Sequence, residues 1–104
     1  MIIENKYKVK KIKYLASAFT KCPIGKNWSR MFIEINADMD KEIPNYDDVD
    51  EFIQNEIDNH EFIIEEAGYR VYEFFKQLCH PKHLSLTIHD ENNSFDTTYI
   101  TIEE

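Results

Sequence analysis

Apolar and polar residues alternate with a period of two in four places along this chain. Tyr7 and Val9 alternate with Lys6, Lys8 and Lys10, and an irregularity falls at Lys10-Lys11. The pattern predicts a long first strand over Tyr7–Ser17. Met31, Ile33 and Ile35 oppose Phe32 and Glu34 in a second strand over Met31–Ala37. Leu84, Leu86 and Ile88 mark a third. Tyr99–Glu103, starting near Asp96, makes a fourth, with the "DENNS" run Asp90–Ser94 as the turn before it. The Thr20–Trp28 stretch reads as a loop.

Between the second and third strands the period lengthens. Val49, Phe52, Ile53 and Ile57 form one stripe, which predicts a helix of roughly three turns over Asp47–Asp58. Pro44-Asn45 opens it, and acids crowd its start, as the helix dipole favours. Ile64, Ala67, Gly68, Val71, Phe74, Phe75 and Leu78 keep helical spacing and predict a second helix over Ile63–Leu78. Gly68 weakens a helix interior, so a close approach of another element is expected there. Cys79-His80-Pro81 ends the run.

The order is strand, strand, helix, helix, strand, strand. It predicts an α+β fold, an antiparallel four-stranded sheet with two helices on one face, formed by residues 1–104 as a single domain. The edges of so small a sheet stay open. Pairing between copies would close them, so a homo-oligomer is expected.

Composition bounds the rest. Two glycines and three prolines in 104 residues leave little linker, and 42% hydrophobic residues suit a globular domain. No apolar run approaches membrane-spanning length, and the start of the chain lacks the pattern of a signal peptide. Two cysteines make no disulfide framework. A cytoplasmic protein with free thiols, away from membranes, is expected. The net charge of −8 is unevenly spread: residues 1–30 carry eight Lys/Arg against one acid, and residues 31–104 carry four against nineteen. The acidic remainder argues against broad nucleic-acid binding. The basic first segment is expected to lie against acidic helices or a neighbouring subunit, with Lys6, Lys8 and Lys10 along one face of a strand.

The stretch "AFTKCPIGKNWS", Ala18–Ser29, does not read as packing. A thiol, Cys22, stands in a turn held by Pro23 and Gly25 between two strand-like segments. That setting suits a nucleophile, since a buried structural cysteine has no need of it. Cys79, near a helix end, reads as a small core residue, and Trp28 as core or interface packing. His60, His80, His83 and His89 show no ligand spacing, so no metal is expected.

Three segments resemble the NADPH-dependent 7-cyano-7-deazaguanine (nitrile) reductases of queuosine biosynthesis, members of the tunnelling-fold superfamily. "FTKCPIGKNWSRMFIEI" is similar to that family's "FTS-x-CP-x-TGQPDFA" and the strand after it. "NHEFIIEE", Asn59–Glu66, is similar to "NHGDFHED", and "EFFKQLCHPKHLSLTIHD", Glu73–Asp90, to "NDLVALMDPKYIEVWGDF". The resemblance implies a tunnelling fold that assembles into an oligomeric barrel, acting on a purine-like 7-deazaguanine substrate. It makes Cys22 the nucleophile that attacks a nitrile carbon and forms a thioimide. It makes Glu65 the carboxylate that grips the base edge, since one carboxylate accepts two N–H bonds. Asn27 falls where the family has its aspartate proton donor, and Asn is no general acid.

Other positions depart as well. The family's "ESKSLK" segment falls near Asn45-Tyr46-Asp47-Asp48, without its lysine and serines. Its histidine before the glutamate is Ile64, and its "RGG" falls on Glu91–Ser94. NADPH phosphates want Lys or Arg, so these losses set NADPH reduction against this chain. Two alternatives stay open. Archaeosine-type relatives add ammonia to the same thioimide on a tRNA-bound base and need no NADPH, although the acidic surface suits tRNA poorly. A non-catalytic oligomer that binds a purine or pterin is the other.

Overall fold

The computed structural model describes residues 2–91 and 97–104. Its elements are β1 (Ile3–Glu4), β2 (Lys11–Lys21), β3 (Trp28–Asp38), β4 (Glu42–Ile43), α1 (Tyr46–Phe52, continued by a π-turn over Ile53–Ile57), α2 (Ile64–Cys79), β5 (His83–Glu91) and β6 (Tyr99–Glu103). The main sheet is antiparallel with order β2-β3-β5-β6. The expected α+β architecture is present, with the helices on one face.

Alternation decides which face is covered. Ala18, Met31, Ile33, Ile35, Ala37, Leu84, Leu86 and Ile88 point to the helices and are buried. Val49, Ile53, Ile57, Ala67, Val71, Phe75 and Cys79 meet them from the other side. A fully buried Phe75 contributes on the order of 3 kcal/mol of transfer free energy. Gly68 behaves as its place in the stripe predicts. A Cβ there would lie 3.1 Å from Ile88 Cγ2 and 3.4 Å from both Ile102 Cδ1 and Leu86 Cδ2. The absent side chain lets α2 sit directly on β5 and β6.

Three boundaries differ from the pattern. Residues 7–10 are not strand. The Asn5 side chain accepts from Val9 N–H (2.9 Å) and donates to the Val9 (2.9 Å) and Asp40 (2.8 Å) carbonyls, which ties residues 5–9 into a loop. Lys8 there takes φ 57°, so Lys6, Lys8 and Lys10 do not share a strand face. In exchange, β2 runs on to Lys21 and β3 starts at Trp28, so the loop is shorter than Thr20–Trp28.

The first helix is α only to Phe52. Asp58 N–H then bonds back to Ile53 O at 2.8 Å, the wide turn of a π-helix, and Ile53 and Ile57 stay buried. The β1–β4 ladder pairs Ile3 with Ile43 and has no periodicity to announce it. The expected turn at Asp90–Ser94 and the strand start near Asp96 fall partly outside the described residues; Asp90 and Glu91 belong to β5.

Candidate active site

The β2–β3 hairpin closes at the thiol. Lys21 pairs with Trp28 as the last rung. Beyond it Cys22 N–H donates to Asn27 O at 2.9 Å, and Lys26 N–H donates to Cys22 O at 2.8 Å. Gly25 N–H points at Cys22 Sγ, 3.4 Å away. Cys22 is partly exposed and carries no disulfide. The left-handed residue of the turn is Lys26 (φ 62°), not Gly25, whose φ is negative. Gly25 has open space around it, with only Asn27 Nδ2 within reach of an added Cβ at 3.9 Å.

A second segment is laced to the same corner. Phe19 N–H donates to Asp58 Oδ1 (2.7 Å), and Asn59 N–H to Phe19 O (2.7 Å). Lys21 N–H donates to His60 O (3.0 Å), and Phe62 N–H to Lys21 O (3.1 Å). Residues 58–62 therefore extend the sheet along the end of β2, parallel to it at Lys21 and Glu61. Along the chain, Cys22 is one residue beyond this lacing and Glu65 three.

Glu65 lies in the exposed first turn of α2, where acids are favoured. Its neighbour Glu66 is engaged by Arg70 at 3.7 Å, whereas Glu65 has no ion pair among the described residues. Ile64, at the place of the family's histidine, packs against the core.

Glu61 is the site residue that the pattern did not reveal. Its carboxylate lies 3.8 Å from Lys21 Nζ and 4.0 Å from Lys26 Nζ, so it bridges the strand end to the turn. The spacing of "NHEF" carries no sign of this, because the pairing is between segments 35 to 40 residues apart. Trp28 is not core. It is 44% exposed, on the open face beside the turn, and stacks on Phe19 with ring centroids 5.5 Å apart. Thr20 Oγ1, two residues before the thiol, is fully buried and has no hydrogen-bond partner among the described residues. Leaving such a hydroxyl unpaired costs about 1–3 kcal/mol.

Residues 45–48 are where the resemblance would place part of a dinucleotide site. The Asn45 side chain accepts Asp47 N–H at 3.0 Å and caps α1, and Asp47 and Asp48 fill its first turn. Two carboxylates and no cation do not fit the phosphates of a nicotinamide dinucleotide. Among the described residues, no three His, Cys, Asp or Glu side chains gather as metal ligands do, and no helix is long and apolar enough to cross a membrane.

The backbone was compared with solved structures. It matches the crystal structure of the archaeosine synthase QueF-Like in the apo form, with a TM-score of 0.82 over 92% of this chain and 94% of that chain. This chain has the tunnelling fold. Sequence identity to that structure is 12%, so the likeness is one of fold. No protein-family model and no curated protein sequence matches the chain. In the tunnelling fold of this chain, Cys22, Asn27 and Glu65 occupy the hairpin turn and the start of α2.

Proposed function

We propose that this protein is a thioimide-forming enzyme that acts on 7-cyano-7-deazaguanine or a related nitrile-bearing base and converts the nitrile to an amidine with ammonia. The observation that carries the reading is the corner itself. A partly exposed thiol with an N–H on its sulfur lies one residue from a backbone lacing, and Glu65, which makes no ion pair among the described residues, follows that lacing by three residues along the chain.

The steps balance without a redox partner. The Cys22 thiolate adds to the nitrile carbon: the C–S bond forms, one C–N π bond opens, and the nitrogen takes a proton from water. Ammonia then adds to the thioimide carbon. The C–S bond breaks, sulfur leaves as thiolate, and the nitrogen that entered loses a proton. The product is an amidine. Glu65 accepts N–H bonds from the ring edge and fixes the base. Asn27 closes the turn through its carbonyl and can donate a side-chain hydrogen bond, but it gives no proton.

The reductive alternative needs a phosphate-binding site that Asn45–Asp48 do not offer, which favours amidation. The open edges of β2 and β6 are read as the seams of a homo-oligomer, with the base held near a seam. The two free thiols suit a reducing cytoplasm.

The test is product formation. The protein is incubated with 7-cyano-7-deazaguanine, free or carried in a tRNA, with ammonium or with NADPH. Amidine formation with ammonium that is abolished in Cys22→Ala, with KM raised in Glu65→Gln, is expected. Amine formation with NADPH would replace amidation by reduction. Absence of any product from a folded protein would leave the non-catalytic binding role.

A further inference from the structure

At the opposite end of β2 from the thiol, the chain gathers lysines that its sequence scatters. Lys8, Lys10, Lys11 and Lys82 line one depression of about 370 Å³, together with Asn5, Asp38 and Asp40. They come from the loop before β2, from β2 itself and from the turn before β5.

Backbone bonds hold their main chains in place. Asn5 clamps the loop that carries Lys8, Met39 N–H donates to Lys10 O at 2.8 Å, and Lys82 N–H donates to Asp38 O at 2.8 Å. Asp38 is already taken by Lys11, whose Nζ lies 3.0 Å from Oδ1. That hydrogen bond holds the Asp38 carboxyl below the usual carboxylate range, with His83 and Lys82 adding to the effect. Lys8, Lys10 and Lys82 make no ion pair among the described residues, in a chain whose net charge is −8. Asp40 is the other carboxylate of the lining, so four lysines stand against two aspartates, and the excess of positive charge favours an anion there.

We propose that this depression binds a phosphate-bearing anion. An excess of lysines over aspartates around one concavity suits a multiply charged phosphoryl group better than a single carboxylate, and lysine serves such groups as a point charge. The site lies roughly 30 Å from Cys22 by the rise of β2, so it stands or falls apart from the thiol chemistry.

The test is calorimetric titration of the full chain with inorganic pyrophosphate at low salt, beside a short homopolymer RNA. Saturable binding of pyrophosphate is expected. It should weaken at least roughly tenfold in a Lys8→Gln/Lys10→Gln/Lys82→Gln variant. It should not change in Lys76→Gln, on α2. Binding of RNA and pyrophosphate with equal affinity would assign the site to a small phosphate ligand. RNA binding at least roughly tenfold tighter, with a steep salt dependence, would assign it to a polynucleotide backbone. Absence of pyrophosphate binding, or equal binding by the folded triple variant, overturns the proposal. So does a change in sedimentation of the triple variant without pyrophosphate binding by either protein, which would make the lysines an interface between copies.

Discussion

Cys22 and Cys79 are the same side chain in two opposite settings. Cys22 stands in a turn of irregular backbone, partly exposed, with the Gly25 N–H at 3.4 Å from its sulfur. Cys79 closes α2, fully buried, with its Sγ 3.7 Å from Phe75 O. Burial, with a smaller effect of the Glu42 carboxylate, pushes the Cys79 thiol up to about 12. Packing makes one sulfur a small apolar filler, and the end of a hairpin leaves the other partly exposed. The residue type says little about which role a cysteine plays; the backbone around it says a great deal.

The sharpest way to break this contrast is selective alkylation. Iodoacetamide on the native protein at neutral pH should modify Cys22 faster than Cys79 by roughly two orders of magnitude. Peptide mass spectrometry reads the sites. Equal rates would mean that the helix end opens as readily as the turn.

The two glycines carry the same contrast in steric form. Gly68→Val should destabilise by about 1–3 kcal/mol, because Ile88, Ile102 and Leu86 leave no room for the side chain. Gly25→Ala should stay within about 0.5 kcal/mol, since its φ is negative and the space around it is open. Urea unfolding measures both. A costly Gly25→Ala would show that the turn is packed after all.

Alkaline pH probes the buried thiol together with Tyr14, Tyr72 and Lys76, whose protons the folded state also holds more tightly, so the comparison with Cys79→Ala isolates the thiol. The folded state holds the Cys79 proton more tightly than the unfolded chain, whose thiol titrates near 9.0. This contribution is intact below pH 9 and is lost as pH rises toward about 12. The slope reaches at most about 1.4 kcal/mol per pH unit. The urea midpoint should therefore fall above pH 9 in the wild type and fall less in Cys79→Ala. Parallel curves would remove Cys79 as the cause.

The smallest effect belongs to the turn. Lys26 holds a left-handed backbone that glycine adopts freely, so Lys26→Gly should stabilise the protein by up to about 1 kcal/mol. A loss of stability would mean that the reach of Lys26 toward Glu61, at 4.0 Å, outweighs the strain.

Much of the fold was legible because alternation and burial coincide. Ile33 and Ile35 on β3, and Leu84, Leu86 and Ile88 on β5, read correctly as single strand faces, and those faces are the buried ones because strands bury every second residue. The start of β2 misled for a physical reason. Tyr7 and Val9 alternate with lysines, but one asparagine side chain, Asn5, bonds the backbone into a loop, and periodicity does not register that competition.

The turn around Cys22 was legible in the sequence, and its surroundings less so. Cys22 announced itself through Pro23 and the turn. Glu61 and the lacing of residues 58–62 to β2 depend on contacts across some 40 residues, which no local spacing records. Trp28 read by type as core or interface packing, and its exposed place on the open face removes the core half of that reading.

The measurement that bears most directly on the central claim is intact-protein mass spectrometry. Wild type and Cys22→Ala are incubated with 7-cyano-7-deazaguanine, with neither ammonia nor NADPH present. The account predicts a single adduct of the nitrile's mass on the wild type and none on the variant. A wild type that stays unmodified while fully folded, or a variant that still carries the adduct, would contradict it.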